Sequence, residues 1–291
     1  MKIGFIGQGW IGKNYANDFE ARGYETVRYS LEPEHAVNKD AVRSCDIVFI
    51  AVPTPTTPAG FDYSAVSSAL SLVGEGKTAV VKSTLLPGTT EALQQEYPQV
   101  YVLCSPEFLV EKTAAYDAAH PNRNIVGIPV SNDAYREKAT EVLEVLPDAP
   151  YETVMTSRDA EFVKYSGNCF LFTKVIFMNI FYDFVAKMDG DWNHIREAFI
   201  HDPRIGESHT SPVHETGRGA GGHCFIKDFE AFRMMYTEMV QDPLGGEVLS
   251  AMVGKNIALL TASNKDIDLL HGVYGNLHKL SPAKDTHATI E

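Results

Sequence analysis

At 291 residues the chain has room for about two domains of the usual ~150 residues. Hydrophobic residues make up 44% and charged residues 22%, the proportions of an ordinary globular protein. Acidic residues outnumber basic ones by 38 to 25, a net charge of −13 that argues against nucleic acid or an anionic membrane surface as partner.

Four widely spaced cysteines (Cys45, Cys104, Cys169 and Cys224) form neither a metal pattern nor a secreted disulfide framework, so no metal is expected. The N-terminus enters an apolar strand with no basic segment and apolar signal core before it, and a cytoplasmic location is expected. Residues 169–185 are very apolar, but Lys174, Asn179 and Asp183 interrupt them, which predicts a buried helix rather than a membrane span.

Lys2 to Ile6 reads as a short strand, followed at once by Gly7-x-Gly9-x-x-Gly12 and a helix to Arg22. In that strand–turn–helix context, Gly7 permits the tight turn and Gly9 lets backbone approach a pyrophosphate. Gly12 lets the helix pack on the strand, with the helix N-terminus facing the phosphates. Trp10 and Ile11 complete the cofactor-binding set at this turn. Further strands are expected at Thr26–Ser30, Asp46–Val52, Thr78–Ser83 and Val100–Cys104, with helices near 62–74 and 89–97. Asn124–Ile128, 131–146 and Tyr151–Val154 follow as strand, helix and strand. This βαβ succession predicts an α/β fold: a Rossmann-like, doubly wound, mostly parallel sheet over 1–155. An all-helical domain over 156–264 and a tail over 265–291 with no domain signal come after it.

The acidic residue expected after the second strand, to hold the ribose hydroxyls, is absent; Tyr29-Ser30-Leu31 stand there. Two readings stay open: Glu32 or Glu34 reaches the ribose of NAD, or Arg28 meets the 2′-phosphate of NADP. Three loops fall at strand carboxyl ends, where open α/β sheets bind ligands: Val52–Pro55, Ser83–Thr90 and Ser105–Leu109.

From Arg158 to about Lys187 one long helix is predicted, with Glu161, Lys164 and Asn168 on one face. Its neighbours Phe162, Phe170, Phe172, Val175, Ile176 and Phe177 are apolar nearly all round, which predicts burial and a homodimer to complete it. Gly167 points to close packing or ligand approach. Further on, Gly217-Arg-Gly-Ala-Gly-Gly-His-Cys-Phe-Ile-Lys-Asp228 is too glycine-rich for a helix or strand at its start and then delivers Cys224, Lys227 and Asp228 within one turn. A thiol becomes a nucleophile as thiolate, which a lysine or a helix N-terminus favours. Helical patterns are expected at 229–241 and 245–263.

These strings, in this order over roughly residues 1–260, resemble the UDP-glucose/GDP-mannose (nucleotide-sugar) 6-dehydrogenase family. Carrying the resemblance are Gly7–Gly12, Val52–Pro55, Ser83–Thr90, Ser105–Leu109, Lys164–Asn168, Asp202–Gly206 and Gly221–Asp228. The resemblance implies an NAD-dependent, four-electron oxidation of a primary alcohol to a carboxylate. Cys224 would attack the intermediate aldehyde, Lys164 would stabilise the oxyanion, and Asn168 would hydrogen-bond the reacting centre. Asp228 would assist proton transfer, and Thr84 and Glu107 would position substrate or water. It also adds Pro53, Thr54, Ser83, Thr84, Glu111 and Lys227 to the cofactor site. To the substrate site it assigns Glu107, Phe108, Leu109, Lys164, Asn168, Gly217, Gly219, Gly221 and Gly222.

The chain departs from the family pattern at His223 and Ile226, where serine and proline are usual, and at Lys112, where glycine is usual after Glu111. The family carries a further α/β domain that grips the substrate nucleotide, and a shortened form without it is expected here. Substrate grip would then come from the glycine loop, a second subunit or a second polypeptide. Two alternatives stay open: a two-electron hydroxyacid-type dehydrogenase, which would not need Cys224, and a non-catalytic cofactor-binding partner of a full-length enzyme.

Overall fold

The computed structural model describes residues 1–275. Strand β1 (Lys2–Ile6), helix α1 (Trp10–Ala21), β2 (Glu25–Tyr29), α2 (Pro33–Ala36) and β3 (Ile47–Ile50) come first, then the two-residue strands β4 (Thr56–Thr57) and β5 (Gly60–Phe61). Next are α3 (Ser64–Leu70), β6 (Thr78–Val81), α4 (Thr89–Glu96), β7 (Tyr101–Cys104), α5 (Ala114–Ala119), β8 (Asn124–Ile128), α6 (Asp133–Val145) and β9 (Glu152–Thr156). The last elements are α7 (Ser157–Lys187), α8 (Trp192–Ile200), β10 (Val213–His214), β11 (Gly217–Arg218), α9 (Gly222–Met239), α10 (Pro243–Ala262) and α11 (Ile267–Tyr274).

Two compact units result: Met1–Thr54 with Asp62–Lys164, and Pro55–Phe61 with the described residues from Tyr165 on. The first holds a seven-stranded sheet in the order β2-β1-β3-β6-β7-β8-β9. Every neighbouring pair is parallel except β7 with β8, which meet antiparallel at Cys104 and Gly127. Strands β3, β6 and β8 are buried at every residue, as parallel strands covered on both faces must be. Phe5, Phe19 and Phe49 pack ring to ring at 5.3–5.4 Å, fixing α1 on β1 and β3. The chain winds one way to β2 and the other way to β3, so the switch point, where such sheets bind ligands, lies between β1 and β3.

In the second unit, Phe172 of α7 stacks on Phe229 of α9 at 3.9 Å. A smaller core joins Ile226, Leu260, Leu270 and Val273. The hairpin β4–β5 belongs to this unit and packs on α9 and α11. The polar residues that interrupt α7 all find protein partners. Lys174 donates to the carbonyls of Ile205 and Gly206, and buried Asn179 accepts from Arg218 Nε at 2.8 Å. Asp183 pairs with Arg218 and Lys255.

Three expectations change. Helix α7 is not buried all round: Phe170, Phe177 and Phe184 are more than half exposed, because one face finds no cover within the described residues. Helix α9 starts at Gly222, seven residues before the expected 229, because Asp266 Oδ2 accepts from the Gly222 N–H at 2.8 Å and the glycines do not have to continue the helix. Helix α8, unforeseen, opens on Asp191, whose carboxylate accepts from the N–H groups of Asn193 and His194. Of the tail 265–291, residues 267–274 form α11, and 276–291 lie outside the described residues.

Candidate active site

The first glycine turn is built for a ligand rather than for packing alone. Gly7 has φ +92°, and a Cβ on it would stand 2.1 Å from the Ala51 carbonyl oxygen. A Cβ on Gly12 would stand 2.0 Å from the Gly7 carbonyl oxygen. Gly9 differs: a Cβ there would meet nothing within 4 Å. Gly9 is also the N-cap of α1, makes no side-chain cap, and is followed by no acidic residue in the first turn. Open space therefore lies against free N–H groups at the positive end of a helix, as a pyrophosphate requires. Trp10 is exposed and Ile11 half-buried beside it. The residues present fit a dinucleotide.

The Arg28 guanidinium is held on α1, with Nε donating to Glu20 Oε1 at 2.8 Å and an NH2 nitrogen donating to Asn17 Oδ1 at 2.8 Å. It is thus paired within its own α1–β2 unit, facing Glu20 and Asn17. Glu32 and Glu34 lie exposed at the start of α2.

The rim loops of this unit are tied to one another. Ser83 Oγ accepts from Val52 N–H at 2.9 Å and donates to the Val52 carbonyl at 2.7 Å. Thr54 Oγ1 donates to the Thr84 carbonyl at 2.8 Å, leaving exposed Pro53 at the loop tip and Thr84 half-buried. A residue the motifs did not single out holds the far end: Glu161 of α7 accepts from the N–H of Gly88 at 2.6 Å and of Thr90 at 2.9 Å, and from Thr90 Oγ1 at 2.6 Å. Gly88 is the N-cap of α4 and has no side chain to cap with, so Glu161 does it from another helix. Burial pushes the Glu161 carboxyl up to about 7 against the pull of these donors. Its spacing before Lys164 on one helix face was the available signal.

Glu107 and Lys164 form the buried ion pair of this unit, with side chains 4% and 8% exposed. Lys164 Nζ donates to Glu107 Oε1 at 2.9 Å and to the Glu107 carbonyl at 2.7 Å, while Oε2 accepts from Leu109 N–H at 2.8 Å. Phe108 lies under the Arg123 guanidinium at 3.7 Å. Glu111, in a single turn over Glu111–Thr113, is exposed.

In the second unit, Gly217, Gly219, Gly221 and Gly222 lead into α9, and their room is already taken: a Cβ on Gly217 would strike Ser263, on Gly219 Asn256, and on Gly221 Asp266. Only Gly222, at φ +80°, has open space. Cys224 is the third residue of α9 and Asp228 lies four residues on, so both share one helix face. Asp228 is fully buried; it accepts from Asn168 Nδ2 at 2.6 Å and from Lys227 Nζ at 2.5 Å. His223 is exposed. The other three cysteines are buried, and burial pushes Cys45 to about 11, Cys169 to about 12 and Cys104 higher still, so they stay thiols. Cys224 alone among the four is half-buried and reachable.

Sheet order and glycine turn define a dinucleotide-binding domain of the Rossmann type. Residues 30–146 match the NAD-binding domain of the UDP-glucose/GDP-mannose dehydrogenase family, and 158–253 match its central domain. The chain belongs to that family, and its cofactor is NAD. It is 35% identical over 203 residues to UDP-glucose 6-dehydrogenase of Rhizobium meliloti, covering 65% of this chain and 46% of that protein. It is 31% identical over 205 residues to UDP-glucose 6-dehydrogenase TuaD of Bacillus subtilis, covering 66% and 42%. The chain thus spans about half the length of the curated relatives it matches. Among solved structures, a UDP-glucose dehydrogenase from Pyrobaculum islandicum aligns with a TM-score of 0.75 at 28% identity, covering 88% of this chain and 68% of that one.

Proposed function

We propose that the chain oxidises the C6 primary alcohol of a UDP-glucose-like nucleotide sugar to the carboxylate, in two two-electron stages, with Cys224 holding the carbon covalently between them. The observation that carries this reading is the half-buried Cys224 in the first turn of α9, one turn before buried Asp228 with its Asn168 and Lys227 partners. When bound, NAD supplies the two-electron acceptor for each stage. Pro53, Thr54, Ser83, Thr84, Glu111 and Lys227 are proposed to hold it, together with the Gly7–Gly12 turn.

Each residue has a part set by its chemistry. The positive end of the α9 dipole favours negative charge on Cys224 Sγ, which adds to the carbonyl carbon of the aldehyde to form a C–S bond. The Lys164 ammonium and the Asn168 amide donate to the oxygen that gains charge. Lys164 keeps a spare N–H beside its two bonds to Glu107, as that role needs. At the acid level the carbon is a thioester; water breaks its C–S bond, Sγ recovers its proton, and Asp228 or Glu107 takes the proton that water gives up. Phe108, Leu109 and the loop Gly217–Gly222 would line the sugar.

Stoichiometry tests the proposal. Each sugar consumed should yield two reduced cofactors with no free aldehyde, and Cys224→Ser should lower turnover by roughly a thousandfold or more with NAD affinity unchanged. One reduced cofactor per sugar, indifferent to Cys224→Ala, would leave a two-electron dehydrogenase. No turnover with intact cofactor binding would leave a cofactor-binding partner subunit.

The same reading includes a cytoplasmic homodimer. Phe170, Phe177 and Phe184 recur every seven residues on α7, each 53–67% exposed, with Ile180 beside them at 50%. A second copy presenting the same stripe satisfies this pattern through a two-fold axis. Sedimentation should give a dimer at micromolar concentration, and Phe177→Glu should shift it to monomer; a native monomer would overturn this.

A further inference from the structure

We propose that Lys82 is a positioning residue for the reaction read above: its buried ammonium, seated on the Tyr15 ring and the Ser105 hydroxyl, fixes the Ser105–Glu107 segment so that Glu107 meets Lys164. Lys82 directly follows β6, whose four residues are buried, and is itself 3% exposed. Its Nζ donates to Ser105 Oγ at 3.0 Å and stands 4.5 Å from the Tyr15 ring centroid and 5.9 Å from that of Phe49. Its backbone N–H still donates to Ile50 within the sheet at 2.8 Å, and Ser105 N–H donates to the Val81 carbonyl at 2.9 Å. The rigid sheet thus grips the first residue of a loop whose third residue is Glu107. From Glu107 the connection runs through both Lys164 bonds to α7.

A buried ammonium satisfied by one hydroxyl and aromatic faces is a costly way to fill space, and an apolar side chain of similar length would serve folding at least as well. The charge is what such a side chain would not supply. Glu107 is the carboxylate whose charge Lys82 feels, so Glu107 stands under the influence of two lysines. Burial lowers Lys82 to about 8, with Glu107 acting the other way. Its charge is therefore complete well below pH 8 and lost above it. The titratable groups facing it are Tyr15 of α1, pushed up by burial, and Glu107 of the loop after β7. Asp18 of α1 and Asp117 of α5 act on Tyr15 in the same sense as Glu107.

Tyr15 is a built-in reporter, independent of turnover. In ring-labelled protein its resonance, assigned by Tyr15→Phe, should titrate with a midpoint near 8, and the Ser105 and Glu107 amides should move with it. Both movements should vanish in Lys82→Met, whose thermal midpoint should not fall and whose NAD affinity should stay within about twofold of native. In that variant kcat should drop roughly tenfold or more with KM nearly constant, and the alkaline limb near pH 8 should disappear from the kcat profile. Lys82→Arg should restore most of kcat and move the limb upward. Loop amides that ignore the Tyr15 titration would overturn the inference, as would a Lys82→Met protein that loses thermal stability and NAD affinity together. If the native chain turns over no nucleotide sugar, the functional reading fails, while the amide titration still decides the role of Lys82.

Discussion

Two glycine turns, Gly7–Gly12 and Gly217–Gly222, each open a helix on a glycine N-cap with no side-chain cap, yet they are built in opposite ways. In the first, backbone presses on backbone at Gly7 and Gly12 and leaves the space at Gly9 open. In the second, side chains from α10 and the segment after it occupy the room: Asn256 Oδ1 accepts from Ala220 N–H at 2.7 Å, and Asp266 accepts from Gly222 N–H. One turn is shaped by what is absent from it and presents N–H groups to a ligand. The other is locked by its own unit and holds a thiol at a set place. Similar local composition therefore serves binding in one unit and positioning in the other.

The largest effect should come from breaking the first turn at its two kinds of glycine. Gly12→Val forces a branched side chain onto the Gly7 carbonyl, 2.0 Å from where its Cβ must sit, so α1 has to leave β1. A loss of about 3 kcal/mol or more is expected, read as a lowered urea midpoint. Gly9→Val meets no protein atom within 4 Å and should leave the urea midpoint nearly unchanged while NAD affinity falls by roughly a hundredfold. A Gly9→Val protein that binds NAD normally by fluorescence titration would remove the turn from the cofactor site.

Next in size is the cap that holds the Ser83–Thr90 loop. Glu161 has a folded-state value raised by burial to about 7, above its ordinary carboxylate value. A raised carboxylate contributes stability that is complete at low pH, where it is protonated in both states, and that is lost as pH rises toward 7. The loss has an upper limit of roughly 3–4 kcal/mol and is flat above pH 7. Glu161→Gln should remove this slope. Melting curves at pH 5 and pH 7.5 should therefore differ more for the native chain than for the variant; equal differences would show that Glu161 does not titrate in this range.

How much of this was legible follows the same division. The glycine turn, the strand succession and the rim loops are local, so spacing alone located Gly7, Ser83 and Glu107 at strand ends. The lysine–asparagine face of α7 was legible from helical periodicity, and the structure pairs its members with Glu107 and Asp228. Contacts between residues far apart in the chain were not. Glu161 caps a helix 71 residues away, and Asp266 lies 44 residues from the glycine it bonds. Nothing in periodicity tells a charged residue on an apolar helix which distant N–H it will meet. Lys82 did leave a signal, a cation ending the run Thr78-Ala-Val-Val, but only the fold shows that its tip turns inward to Tyr15.

The smallest effect sharpens the comparison with a third glycine. Gly167 lies inside α7, three residues after Lys164 and one before Asn168, where glycine costs about 1 kcal/mol relative to alanine. Unlike Gly12, it has no steric reason for being glycine: a Cβ built on it meets nothing within 4 Å. It resembles Gly9, the position where the chain leaves room for something else. Gly167→Ala should then stabilise the protein by about 0.5–1 kcal/mol, raising the melting temperature by a few degrees at most. NAD affinity should not change, because this glycine is not among the residues proposed to hold the cofactor. KM for the sugar should rise several-fold, because the added methyl would occupy that open space one residue before Asn168, a proposed substrate donor. A variant that gains stability and keeps its KM would show that the open face at Gly167 is not where the substrate passes.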